Sequence, residues 1–296
     1  MKRGGGVAPA ILLFAISAVI CRNLWFTGYI NNMGSVDGSY IAMARHTLRH
    51  WGDLHWWPMW FAGMAFRNVY GPVTHLAAAG LAAAAQQSPA WALHTLGALL
   101  YCLGPVALWW AALRLSGSGT WAMAAGLMFA VTSPAAWLMP SVRADVGGFL
   151  HLRRLFTVVR YGEYPHVAVL AMIPLALVIF DRMVRDERPV WIAAGAVAMA
   201  GIASTSVTGS AGFAMVALAW LASLPMADLG RALWKLSAAA CLAYGLALPW
   251  IPPSTVRLIW LNSQWGTGRP TPFTARHAFY FVMVALAAGG LRGAMA

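Results

Sequence analysis

The chain is short of charge, and above all of negative charge. Of its 296 residues only 8 are Asp or Glu, against 20 Lys or Arg, and charged residues make up 9% of the total. Soluble domains carry about 25%, so an ordinary water-soluble globule is excluded. Cysteine is scarce as well: Cys21, Cys102 and Cys241 all lie in apolar segments. They read as small buried hydrophobes rather than a disulfide or metal framework. Lys- and Arg-rich runs are missing, and the basic residues are spread over many loops, so the net charge of +12 carries no nucleic-acid signal. Its first reading is topological, with positive loops holding cytoplasmic ends in place; Arg residues facing an anionic headgroup or phosphate are the second. No internal repeat is present. The residue-by-residue alternation of a membrane β-barrel is absent too. Finally, Lys2 and Arg3 precede the apolar stretch 7–20, but no A-x-A cleavage pattern follows, which favours a retained first transmembrane helix over a signal peptide.

What is present is hydrophobicity: 60% of residues, with a mean hydropathy of +0.66. Runs such as 121–139, 166–180, 191–203 and 231–251 are nearly free of charge. A bilayer core of about 30 Å needs roughly 20 helical residues, and backbone groups in lipid must be satisfied within the segment. The fold class predicted is therefore all-α, a polytopic transmembrane helix bundle. Its spans are 7–26, 90–113, 121–139, 165–181, 190–206, 210–226, 232–250 and 276–292. The Ala-rich segment 73–87 is short for a crossing. If it stays in the interface, Arg114, Arg182, Arg185, Arg188, Arg231, Lys235 and Arg292 join Lys2 and Arg3 on the cytoplasmic side. That gives eight crossings in a bacterial cytoplasmic membrane, with the N-terminus inside. Residues 1–296 then form a single integral-membrane domain whose extracytoplasmic loops are 27–89, 140–164 and 251–275.

Each outer loop has its own character. In the first, Tyr40, Ala44, Leu48 and Trp51 share one face of a helix over 38–51, opposite Arg45, His46, Arg49 and His50. Such a helix is expected to lie flat in the interface. The Pro and Gly punctuation of 58–72 predicts a structured turn. A second interfacial helix is expected at 148–160, where Arg143, Arg153, Arg154 and Arg160 make the loop unusually basic. The third loop, with Arg257, Asn262, Gln264 and Arg269, offers donors without acids and suits substrate positioning.

The topology sorts the acids. Asp181, Asp186, Glu187 and Asp228 sit beside cytoplasmic Arg residues and read as solvated partners. Asp37, Asp53, Asp145 and Glu163 share the outer side, where carboxylates can supply a general base and a divalent-metal site. Asp37, between Gly34-Ser35 and Gly38-Ser39, is either a functional acid or an ordinary helix N-cap. Asp53 reads as a turn former. Glu163 and His166 are spaced i, i+3 at a helix mouth. That suits metal or phosphate contact, or simply a helix start with Pro165 at its first position. His46 and His50 are either metal neighbours or interfacial polar-face residues.

One family shares this pattern. The sequences Val36-Asp37-Gly38-Ser39-Tyr40, then Trp57-Pro58-Met59-Trp60 with Gly63, then Tyr70-Gly71-Pro72 and Gly162-Glu163-Tyr164-Pro165-His166 resemble the membrane-embedded GT-C glycosyltransferases. The likeness is greatest to the bacterial branch grouped with YfhO-like membrane proteins, and it covers roughly residues 1–180. Members of that superfamily transfer a sugar from a polyprenyl-phosphate carrier to an extracytoplasmic acceptor, often with a divalent metal ion. The resemblance implies a catalytic or metal-associated Asp37, with Asp145 or Glu163 as second acid. It implies a metal (Mg, Mn or Zn) held by Asp37, Glu163 and His166. Arg153, Arg154 or Arg160 would grip the carrier phosphate, with His166, Trp57 and Tyr70 also meeting substrate. Such enzymes are generally longer, so the resemblance implies a shortened version. The implied partners are the lipid bilayer, a polyprenyl-phosphate-linked sugar and a membrane partner subunit. A transporter and a non-catalytic membrane subunit are the competing functions. The spans hold almost no acids, which disfavours the transporter.

Overall fold

The computed structural model describes residues 6–28, 35–148 and 150–266. Lys2, Arg3, Gly34, Arg269, Arg292 and the expected span 276–292 lie outside the described residues, as does the side chain of Gln264. What is described is mostly helical and divides into two compact units.

The first unit comprises residues up to Trp56 and Pro72–Leu175. It contains α1 (Val7–Ile20), α2 (Asp37–Arg49), α3 (Pro72–Ala85), α4 (Pro89–Ser116), α5 (Gly119–Val131), α6 (Pro134–Leu138), α7 (Pro140–Val146), α8 (Arg153–Tyr161) and the start of α9 (Tyr164–Arg185). The second comprises Trp57–Gly71 and the chain from Ala176. It contains the rest of α9, then α10 (Val190–Thr205), α11 (Val207–Ala222), α12 (Met226–Ala247) and α13 (Pro253–Gly266). A two-residue ladder pairs β1 (Trp56–Trp57) with β2 (Met64–Ala65).

Two of the described helices are long and apolar enough to cross a membrane: α4, of 28 residues, and α9, of 22. At 1.5 Å per residue they reach about 42 and 33 Å. The apolar helices α1, α3, α5, α10 and α11 have 13 to 16 residues, which gives about 24 Å at most. Serine caps set several starts. Ser88 Oγ accepts from the Trp91 amide at 3.1 Å with Pro89 at the first helical position, and Ser206 Oγ accepts from the Gly209 amide at 3.0 Å. Gly117 ends α4 in the left-handed conformation, at φ 71°.

Two expected spans are shorter than the hydropathy suggested. The segment 7–26 ends as α-helix at Ile20 and continues as a 3-10 turn over Arg22–Trp25. The segment 121–139 breaks at Thr132-Ser133, because a residue before proline is pushed out of the helical region. Pro134 and Pro140 then open the short helices α6 and α7. In the third loop, 253–266 is helical.

In the first unit α4 is the hub, packed by α1, α2, α3, α5 and α8. Small residues let these helices approach closely. A Cβ on Gly126 of α5 would lie 2.7 Å from Leu13 and 3.1 Å from Trp109. The predicted faces of α2 hold in part. Tyr40 and Ala44 are buried and Arg45 and Arg49 exposed, but Leu48 and Trp51 face outward. Instead Ile41, Met43 and Thr47 complete the buried face, because α2 packs on both α3 and α4.

Candidate functional site

The site begins in the turn before α2. Asp37 is the first residue of the helix, and Val36 occupies the N-cap position without a side-chain cap. Of the two readings of Asp37, the capping one therefore gives way to a tertiary role. Its amide donates to Ser35 Oγ at 3.1 Å, and its carboxylate turns inward, 3% exposed. There Oδ1 accepts from Tyr164 Oη at 2.8 Å and faces His94 Nε2 at 2.9 Å. The other ring nitrogen of His94, Nδ1, lies 2.7 Å from the Thr27 carbonyl oxygen. That carbonyl only accepts, so Nδ1 carries a proton. A second proton must then lie between Nε2 and Oδ1, on one or the other. Asp37 and His94 thus form a fully buried pair with no net charge, and breaking such a pair from one side is costly.

Three contacts tie the second loop to this turn. The Val36 amide donates to the Tyr161 carbonyl at 2.9 Å. Gly162 follows in the left-handed conformation, at φ 73°, where a Cβ would stand 2.5 Å from both the Asp37 amide nitrogen and Ser35 Oγ. Only glycine fits there, both for its backbone angle and for its bulk. Tyr164 then reaches Asp37 directly, and Gly97 of α4 makes room for its ring, which a Cβ would meet at 2.5 Å.

Beside this junction lies a cavity of about 470 Å³, lined by Val36, Arg153, Arg154, Thr157, Tyr161, Glu163, His166, Val167 and Leu170. Glu163 and His166 are together on its wall, with His166 Nδ1 2.9 Å from Glu163 Oε2 and both side chains about one-third exposed. Arg154 is 9% exposed. Its Nη1 donates to the Tyr101 carbonyl at 3.1 Å, and its guanidinium carbon sits 4.3 Å from the centre of the Tyr101 ring and 4.1 Å from that of Phe129. Nη2 is buried with no hydrogen-bond partner, and among the described residues no carboxylate pairs with this guanidinium. Burial pushes Arg154 down to about 10, which leaves it charged at neutral pH. A cation desolvated between two rings and lacking an acid is the strongest electrostatic feature of the wall.

Arg153 also lines the cavity, but its charge is paired, and Asp145, Arg160, Trp57 and Tyr70 are absent from the lining. Arg153 forms an ion pair with Asp145, which also accepts from Tyr161 Oη at 2.6 Å. Asp145 therefore serves this partly exposed network and does not line the cavity. Arg160 is exposed and also absent from the lining. Arg153 and Arg154, adjacent on α8, point about 100° apart, so one meets Asp145 and the other the Tyr101 and Phe129 rings. Ser133 fixes the start of α8: its Oγ donates to the His151 carbonyl and accepts from the Arg153 amide at 2.6 Å. Trp57 and Tyr70 belong to the second unit, where Trp57 is 1% exposed within a cluster of rings.

The donor set does not fit a shared divalent cation. Asp37 Oδ1 is engaged by both His94 and Tyr164, Glu163 pairs with His166, and no group of three His, Cys, Asp or Glu suited to a metal occurs among the described residues. Comparison with protein-family models and with curated proteins finds no match. Sequence reasoning missed His94 and Tyr164. His94 had a usable signal, since an ionisable residue inside an apolar span invites a search for its partner. Tyr164 sat within a noted motif, but its pairing with a residue 127 positions away left no local trace.

Proposed function

We propose that the protein is a membrane-embedded glycosyltransferase, moving a sugar from a polyprenyl-phosphate donor to an extracytoplasmic acceptor. In this reading the chain crosses a bacterial cytoplasmic membrane eight times with its N-terminus inside, and loops 27–89 and 140–164 face outward. The observation that carries the proposal is the cavity wall that joins Arg154 to the Glu163–His166 pair. A buried guanidinium without a counter-ion supports binding of an anionic ester, and charge-assisted bonds to phosphate are among the stronger protein contacts. The apolar side chains Val36, Val167 and Leu170 on the same wall suit the first units of a lipid carrier. An acid–imidazole pair beside that anion supplies the proton chemistry that attack by a hydroxyl requires.

The decisive experiment replaces Arg154 by Met in the host of origin and compares surface-glycan output with membrane abundance. Methionine keeps the apolar stem and removes a charge that lacks an acid, so abundance holds or rises. Output per protein falls about tenfold to a hundredfold, as loss of a charge-assisted bond of 1.5–3 kcal/mol predicts. Normal glycan at normal abundance sinks the reading and returns the chain to the class of non-catalytic membrane subunits.

A further inference from the structure

The two outer-loop acids sit in opposite environments. Asp37 is 3% exposed with Oδ1 shared between His94 and Tyr164, and it is absent from the cavity lining. Glu163 lines the cavity, about one-third exposed, with His166 hydrogen-bonded to it. Nδ1 of His166 is engaged by Glu163, and among the described residues Nε2 has no hydrogen-bond partner. A side chain that orients an imidazole through one nitrogen leaves the other poised for proton transfer.

We propose that the Glu163–His166 pair receives the acceptor's proton, and that Asp37 is a positioning residue that never touches substrate. The proposal rests on the transferase reading above. Its physical basis is the way the Asp37 turn clamps the chain on both sides of Glu163. Val36 holds the Tyr161 carbonyl, Gly162 seats on the Asp37 backbone, and Tyr164 bonds to the Asp37 carboxylate. Contacts at 161, 162 and 164 leave residue 163 little freedom, and α9, which begins at Tyr164, carries His166 in its first turn. Asp37 is in turn anchored to α4 through His94, which is fixed by Thr27. A misplacement of about 1 Å in such a site costs on the order of a hundredfold in rate.

The step balances without any redox partner. The acceptor hydroxyl gives its proton to the Glu163–His166 pair, and its oxygen bonds to the anomeric carbon. The bond from that carbon to the carrier phosphate breaks, and its electron pair leaves on the phosphate oxygen. Arg154 stabilises the added negative charge. The pair then returns the proton to water.

The test is a set of variants of the full chain in the host of origin, scored as surface-glycan output per membrane-inserted protein. Each is paired with the melting temperature of the detergent-purified protein. Glu163→Gln and His166→Gln are expected to lose about a hundredfold or more of output with little change in melting temperature, since both positions are partly exposed. Asp37→Ala is expected to lose output and melting temperature together. Asp37→Asn, which restores an oxygen acceptor for Tyr164 but not a carboxylate, recovers most of the output. Should Asp37→Asn fail to accumulate, Tyr164→Phe answers the same question: it leaves the carboxylate intact and cuts its link to the loop, so output falls. An Asp37→Asn protein that melts normally yet is as inactive as Glu163→Gln overturns the assignment, and so does a Tyr164→Phe protein with full output. Full output from Glu163→Gln and His166→Gln alongside lost output from Arg154→Met removes the assignment and leaves the transferase reading standing. Full output from all of them, Arg154→Met included, removes both.

Discussion

The loop 161–166 is organised around buried polar groups, whereas the loop 57–71 is organised around buried rings. In the first, Gly162 yields to the Asp37 backbone so that a tyrosine hydroxyl can meet a carboxylate. In the second, Gly71 yields to the Ser204 and Thr205 carbonyls, where a Cβ would stand 2.4 and 2.7 Å away. What that loop buries is apolar. Trp57 packs 6.1 Å from Trp60 and 5.7 Å from Phe66, Trp60 lies 5.7 Å from Tyr70, and Phe66 lies 6.4 Å from Trp250. Asn68 adds one polar tie, accepting from Thr255 Oγ1 at 2.7 Å. Both segments read as motifs because glycine and aromatic residues at fixed spacing are what any tight packed turn requires. The difference lies in what is buried. Rings in contact stabilise the fold, whereas the cavity beside 161–166 keeps an unpaired cation and an acid–imidazole pair on its wall.

The sharpest test of that contrast is Trp57→Ala. Removing a fully buried indole from an aromatic cluster costs about 3–5 kcal/mol, enough to lower the melting temperature by many degrees and to reduce membrane abundance. Output per surviving protein stays near wild type, because the ring packs within the second unit and is not among the cavity's lining residues. Thermal melts beside a glycan assay check both halves. A Trp57→Ala protein that melts normally but makes no glycan breaks the comparison, and makes the aromatic loop a substrate surface as the family resemblance implied.

Much of this organisation was legible in the residues, and the rest had physical reasons to stay hidden. Helix α2 showed itself through Tyr40 and Ala44 at helical spacing, and α4 and α9 through hydropathy. The break at Ser133-Pro134 was readable in principle from the restraint proline places on its predecessor. Hydropathy averages over it. Asp37 and the Glu163–His166 pair stood out because acids are so few. Their roles did not, because role depends on burial, and burial depends on partners far away in sequence. His94 is 57 residues from Asp37. The arginines teach the same lesson at short range: Arg153 and Arg154 are adjacent, yet one meets an acid and the other is sealed between Tyr101 and Phe129.

A second, smaller effect separates the two glycines. Gly162→Ala must place a Cβ in left-handed backbone, at about 1–2 kcal/mol, and against the Asp37 amide, which adds about 1–3 kcal/mol for overpacking. Gly71→Ala meets only the second kind of cost, because its clash is with the carbonyls at the end of α10. Both variants are expected to melt earlier, Gly162→Ala by more. Only Gly162→Ala is expected to lose output per folded protein, since only that residue seats the chain beside Glu163. Equal loss of output from the two would erase the distinction between a turn that positions chemistry and one that packs a core.

The smallest expected effect sits near the C-terminal end of α9. Asp181 and Arg185 pair one helical turn apart in α9 at 3.0 Å, with the arginine largely exposed. An ion pair of this kind contributes about 0.3–0.5 kcal/mol, because water screens the charges and two long side chains lose freedom to meet. Asp181→Asn should therefore shift the melting temperature by about a degree at most and leave glycan output unchanged. Its value is as a control on the meaning of an acid in this chain. With only 8 acidic residues, scarcity alone would mark every one as functional. If Asp181→Asn proved as damaging as Glu163→Gln, scarcity would be the better guide to function, and burial and the cavity wall the poorer ones. If it is silent, the two acids differ because of what surrounds them. Glu163 orients an imidazole beside a buried guanidinium, whereas Asp181 meets only a solvated partner on its own helix.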